Sequence, residues 1–204
     1  MQKSLHHKWE PFLKYGRKKF IKKNTVLFHQ EDIGDGFYYL NSGEVIIKLN
    51  LENGDERIID FVTSSELFGE QGIKSDPYFA TSIANTSCVI YYFSNDTFKQ
   101  MCKDNPKVSE LVMLTLIKKV RLYGETVSLL ETPIEYQLSH LLHKLYQKRG
   151  SFEITLNQTA LARYIGTSRI TIYKILKKWK ESGIITIIDR KIIITDIEKL
   201  KSIL

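Results

Sequence analysis

Along this chain the spacing of hydrophobic positions changes character twice. From about Phe20 to Phe93, short runs rich in β-branched and aromatic residues are broken by turn residues: TVLFHQ, FYYLNSG, EVIIKLNL, ERIIDFV and SCVIYYF. Short alternating runs of this kind predict an antiparallel all-β unit. Gly34, Gly36 and Gly43 mark further turns, and so many strands at regular spacing suggest a small barrel or roll. In EVIIKLNLENGDERIIDFV the alternation runs on both sides of Asn53-Gly54. That dipeptide predicts a tight hairpin turn with positive φ at its centre.

After Ser94 the period lengthens. NDTFKQMCKDNP reads as a short helix stopped at Pro106, and a long helix follows from about Lys107 to Leu130. Val112, Leu116, Val120, Tyr123, Val127 and Leu130 recur at intervals of 4, 4, 3, 4 and 3, close to a heptad seam. A second apolar set, Val108, Leu111, Leu114, Ile117 and Leu122, widens the face beyond what one partner takes. The helix is therefore expected to be shared between its own β unit and a second copy of the chain, with the first set forming the dimer interface.

Thr132-Pro133 predicts a break, because a residue before proline is pushed out of helical geometry. The expected division is a β-roll over 1–104, a long dimerisation helix and hinge over 105–132, and a smaller domain over 133–204. In that last part Ile134 to Gln147 is an amphipathic helix, FEIT a short strand, and NQTALARYIG and TSRITIYKILKKWKESG two helices around Gly166. IITIID and KIIIT flank Asp189-Arg190 as a hairpin, and DIEKLKSIL closes as a helix begun by an aspartate cap.

Charge gives the last part its meaning. The chain carries a net +7, and residues 134–204 hold 13 Lys/Arg against 6 Asp/Glu, while residues 1–133 hold 17 of each. All of the excess positive charge lies in the final third, which points to a polyanionic partner. The apolar content of 43% suits ordinary soluble cores, and no run has the length of a signal peptide or membrane span. A cytoplasmic protein without membrane attachment is expected. Cys88 and Cys102 lack metal-ligand pairing, and His140 and His143 lack a carboxylate or thiol to complete a site, so no metal is expected. No nucleophile elbow, phosphate-cradling loop, HExxH or carboxylate constellation is present, which argues against an enzyme.

Leu161, Ala162, Ile165, Gly166, Ile172 and Ile175 have the spacing of a helix-turn-helix. In its second helix Ile172, Ile175, Leu176 and Trp179 follow i, i+3, i+4, i+7 and face inward, leaving Arg169, Ile170, Tyr173, Lys174 and Lys177 outward. An apolar stripe that fixes the helix while a basic face remains outside is what entry into a major groove requires. Thr167 or Ser168 would cap the helix, with exposed amides suited to a phosphate, and Arg190 and Lys191 would sit at the tip of a wing. The expected partner is double-stranded DNA.

On TVLFHQEDIGDGFYYLNSGEVIIKL, ELFGE, the NP before the long helix, and LARYIGTSRITIYKILKKWKESGII, the chain resembles the Crp/Fnr family of bacterial transcription regulators nearly end to end. The resemblance implies an α+β fold: an antiparallel, cyclic-nucleotide-binding-like β-roll, a long dimerisation helix and a C-terminal winged helix-turn-helix. It implies a homodimer on a two-fold symmetric operator, with RNA polymerase as a further partner. Ser168 and Arg169 match the family's Ser-Arg at the start of the recognition helix, where the arginine reads a guanine, and Lys174 falls where a second basic contact is common. The family's next glutamate is replaced by Ile170, which cannot accept from cytosine N4 but can pack on a thymine methyl.

Phe68-Gly69-Glu70 match the family's effector motif, whose glutamate bonds the ribose of a cyclic nucleotide. The following Arg-Ser pair that holds the phosphate is replaced by Tyr78 and Phe79, and the adenine-facing position falls at Tyr123. Lys74 is the one basic residue between Glu70 and Cys88. Losing the charge-assisted bonds of that arginine costs on the order of several kcal/mol, which argues against cAMP. An iron-sulfur cluster is not expected either, since an N-terminal cysteine cluster is missing. The expectation is a DNA-binding regulator whose roll answers to an effector other than cAMP, or to none. The alternatives are a cAMP-responsive regulator using Glu70 and Lys74, and a small-molecule sensor acting through protein partners.

Overall fold

A computed structural model describes residues 6–189 and 191–204. The chain divides into two compact units, Met1–Tyr123 and Gly124–Leu204. The division falls inside the long helix, upstream of the break expected at Thr132-Pro133.

The first unit opens with a helical turn, α1 (His6–Trp9), and a 3-10 helix over Glu10–Tyr15. Eight strands follow: β1 (Arg17–Ile21), β2 (Val26–Phe28), β3 (Gly36–Ser42), β4 (Glu44–Asn50), β5 (Glu56–Thr63), β6 (Glu66–Phe68), β7 (Thr81–Ala84) and β8 (Cys88–Ser94). They form two antiparallel four-stranded sheets, ordered β1-β8-β3-β6 and β2-β7-β4-β5. The five strands expected from the sequence are present. Three more were not read: β1, whose basic run Arg17, Lys18 and Lys19 hides its pairing with β8, and the short β6 and β7.

Alternation on β3 shows how the roll is filled. Leu40 and half-buried Tyr38 point into the interior with Phe28, Val45, Val62, Phe68, Tyr78 and Ile90. Phe37 and Tyr39 point the other way, into a second cluster with Trp9, Leu67, Phe93, Met101, Val108 and Leu111. A strand covered on both faces loses its polar alternation, hence the nearly unbroken FYYL. The β4–β5 loop corrects an expectation. It spans residues 51–55 and only Gly54 takes positive φ (83°), while the Asn53 side chain bonds the backbone N–H of Asp55 (3.1 Å) and its carboxylate (2.8 Å). An asparagine that turns the chain through its side chain has no need of left-handed backbone.

Ser94 caps α2 (Asn95–Asp104), and after Pro106 comes α3 (Lys107–Ser128). The second unit holds α4 (Ile134–Arg149), β9 (Glu153–Ile154), α5 (Gln158–Ile165), α6 (Arg169–Glu181), β10 (Ile185–Ile188), β11 (Lys191–Ile194) and α7 (Ile197–Lys201). Its three strands form one antiparallel sheet, ordered β10-β11-β9. Leu138, Leu142, Leu161, Ile172, Leu176, Trp179, Ile192 and Leu200 are buried. The buried Ser139 hydroxyl donates to the carbonyl of Leu200 at 2.6 Å, which ties α4 to α7.

Candidate nucleic-acid interface and effector pocket

The turn between α5 and α6 is built from its own capping chemistry. Asn157 caps α5 by accepting from the Ala160 amide (2.8 Å), and α5 ends on Gly166 at φ 81°, a conformation that costs a Cβ-bearing residue. The amides of Gly166 and half-buried Thr167 both return to the carbonyl of Ala162, at 2.8 and 3.0 Å. Ser168 then caps α6, its hydroxyl accepting from the Thr171 amide at 3.0 Å. The cap is therefore Ser168, not Thr167.

On α6, Ile172, Leu176 and Trp179 are fully buried and Ile175 is half-buried, as the apolar stripe requires. Arg169, Ile170, Tyr173, Lys174 and Lys177 are all exposed. The inner face is fixed by more than packing. Glu135, in the first turn of α4, accepts from the Trp179 indole N–H at 2.8 Å and from the Lys178 ammonium at 3.0 and 3.1 Å. Burial alone would raise the Glu135 carboxyl, but these hydrogen bonds outweigh it and hold the group below its ordinary value. Sequence reading missed Glu135, because a lone carboxylate at a helix start reads as a complement to the helix dipole.

At the wing, Lys191 pairs with Glu153 of β9 at 2.8 Å. That hydrogen bond raises the Lys191 ammonium above its ordinary value. Arg190 lies outside the described residues.

In the roll, Phe68 is buried, Gly69 is left-handed, and Glu70 starts a 3-10 helix over Glu70–Lys74. The Glu70 side chain is only 3% exposed, and its Oε2 accepts from the ammonium of Lys119 on α3 at 2.8 Å. Glu70 Oε1 is buried with no hydrogen-bond partner. Burial would lower the Lys119 ammonium, but Glu70 and the buried Asp60 outweigh it and raise it. The Glu70 side chain makes no cap to its own 3-10 helix; it is engaged by a helix from elsewhere in its unit. Lys119 was not singled out because, next to Lys118, it reads as a solvated helical charge.

Tyr78 is buried, stacked on Phe28 with centroids 3.8 Å apart, and its hydroxyl donates to the carbonyl of Gly36 at 3.2 Å. Phe28, Tyr38 and Phe68 continue the stack, and burial pushes the Tyr78 phenol well above its ordinary value. The two residues that replace the Arg-Ser pair part company, since Phe79 is 41% exposed. Lys74 is exposed at the end of its 3-10 helix. At the position where the resemblance puts the phosphate-holding arginine, Tyr78 offers no charge, only a hydroxyl already donated to Gly36.

On α3, Val112 is buried in the core of its own unit with Val108 and Leu111, so it does not belong to the open seam expected from the sequence. Leu116, Val120, Val127 and Leu130 are exposed, Tyr123 is half-buried, and Leu130 lies just past the helix end. Among the described residues no group of three or more His, Cys, Asp or Glu could hold a metal, and no helix is long and apolar enough to cross a membrane.

Residues 18–105 match the model of the cyclic nucleotide-binding domain, and residues 137–203 that of the Crp-like helix-turn-helix domain. A CRP-like cAMP-activated global transcriptional regulator of Mycobacterium tuberculosis is 29% identical over 191 residues, covering 89% of this chain and 84% of the relative. The regulatory protein HlyX of Actinobacillus pleuropneumoniae is 24% identical, covering 90% and 80%. Among solved structures, FixK2 of Bradyrhizobium japonicum superimposes with a TM-score of 0.83 at 13% identity, covering 92% of this chain and 96% of that one. The c-di-GMP responsive regulator CLP of Xanthomonas campestris gives 0.79 at 22%, covering 91% and 96%.

Proposed function

Because this chain belongs to the Crp/Fnr family of transcriptional regulators, with a cyclic nucleotide-binding domain followed by a Crp-like helix-turn-helix, we propose that it works in the cytoplasm as a homodimer on a two-fold symmetric operator. The observation that carries the reading is α6: a helix fixed by a buried stripe, with Arg169, Lys174 and Lys177 exposed on its outer side. Arg169 reads a base edge, Ser168 and Lys174 contact base or phosphate, and Thr167, Tyr173, Lys177, Arg190 and Lys191 help to position the duplex. The exposed Leu116, Val120, Val127 and Leu130, together with Tyr123, supply the contact with a second copy, and RNA polymerase is the partner at the promoter.

The roll works without cAMP. Its aromatic stack of Phe28, Tyr38, Phe68 and Tyr78 is already closed on itself, so one state is favoured with no nucleotide. Since α3 spans the division between the units, whatever biases the roll biases the DNA-binding unit through it. One observation favours a second reading: the unpartnered Glu70 Oε1 would accept a donor from an uncharged effector. Selection of sites from a random DNA pool by the ligand-free protein tests both. A palindromic site bound tightly, and unchanged by cAMP, is expected. Binding that awaits cAMP would refute the closed roll, and binding that awaits another additive would favour the second reading.

A further inference from the structure

The outer face of α6 is not uniformly polar. Ile170 is 67% exposed and Tyr173 52%, three positions apart and therefore on one side of the helix. Neither side chain has a hydrogen bond, ion pair or ring contact among the described residues. Around them stand the exposed Arg169, Lys174 and Lys177, and the N-terminal end of α6 is tied off by the Ser168 cap. A large aliphatic group held in water within a basic patch gains stability only when something apolar covers it. The cations around it select a polyanion as the covering partner, and the helix-turn-helix makes that polyanion duplex DNA.

Base edges in the major groove offer donors and acceptors at every pair, but only one apolar group, the C5-methyl of thymine. Isoleucine can neither donate nor accept, so guanine O6 and N7 and cytosine N4 give it nothing and are left without water when it covers them. The Tyr173 ring, 52% exposed, gives a second apolar surface one turn further along.

Resting on the DNA-reading role proposed above for α6, we infer that Ile170 and Tyr173 form an apolar reading pair for thymine methyls, and that each operator half-site carries thymines beside the base read by Arg169. Covering one methyl is worth about fourfold in affinity, so the two together give about fifteenfold per half-site.

The test uses the full-length protein and the operator it selects from a random pool. That operator is resynthesised with deoxyuridine in place of single thymines, which removes the methyl and leaves the pairing intact. Expected are thymines in both half-sites, an affinity loss of about fourfold at each contacted position, and disappearance of one such loss in Ile170→Ala. Since Ile170 is exposed, that variant keeps its fold, which an unchanged urea midpoint checks. An operator without thymine at these positions would overturn the inference, as would indifference to uracil or an unchanged uracil penalty in Ile170→Ala. Failure to select any operator would overturn the reading role of α6 and the inference together, whereas a tight operator indifferent to uracil overturns the inference alone.

Discussion

Replacing Glu135 should separate a specific hydrogen bond from a general surface charge. Its carboxylate carries two different loads. Lys178 is mostly exposed, so that ion pair contributes about 0.2–1 kcal/mol once solvent screening is allowed for. Trp179 is 1% exposed, and removing its acceptor leaves a buried indole N–H unsatisfied at about 1–3 kcal/mol. Glu135→Ala is therefore expected to cost about 2 kcal/mol. Glu135→Gln keeps an oxygen in the same place and loses only the charge, at about 0.5–1 kcal/mol. Urea unfolding of the full chain, followed by tryptophan fluorescence, gives the difference as a shift in midpoint at constant slope. Trp9 is the second tryptophan and lies in the other unit, so Trp179 reports on the unit in question.

Acid provides the second arm. The folded carboxyl lies below its ordinary value, so its stabilisation is present above the unfolded value near about 4.3 and is lost as pH falls through the folded one. Glu135→Gln should lack that part of the acid dependence. Equal losses in the alanine and glutamine variants would refute the argument, since they would mean that Trp179 does not depend on this acceptor. Because the same bond holds the C-terminal half of α6, Glu135→Ala should also weaken binding to a selected operator.

Arg169→Ala should cost about 1–3 kcal/mol per half-site and relax the preference at one base pair, while Lys177→Ala weakens all sequences alike and reduces the salt slope by about one; equal losses of Arg169→Ala on specific and random DNA would count against base reading. Lys119→Met leaves Glu70 buried without its cation and should destabilise the first unit by about 3–5 kcal/mol, and adding Glu70→Gln should recover much of this; a loss under about 1 kcal/mol would show the pair to be dispensable. Burial, with Lys144 beside His140 and Lys201 beside His143, holds both imidazoles below their ordinary value. The unfolded chain then takes up these protons first, so stability of the second unit is full above about pH 6.5 and falls as pH drops below it. His140→Gln should flatten that fall in urea titrations at pH 7 and pH 5, and an unchanged slope would exclude His140 as its source.

By itself the sequence determined what depends on local spacing and on chain-wide charge. The period-2 runs placed five strands, the NP dipeptide and the 3.6-period stripe placed α2, α3 and α6, and the clustering of basic residues after Ile134 marked the DNA-binding unit. These signals are legible because burial of one face repeats along the chain at the period of the element itself. Tertiary structure decided what depends on encounters between distant residues. It turned Val112 into the core of its own unit, gave Glu70 to Lys119 across 49 positions, bound Trp179 to Glu135 across 44, and sent Tyr78 inward while its neighbour Phe79 stayed outside. A single charged or aromatic residue carries no period that could announce its partner. Its role is set by which neutralising or apolar group the fold brings to it, because burial makes an unpaired charge or donor costly.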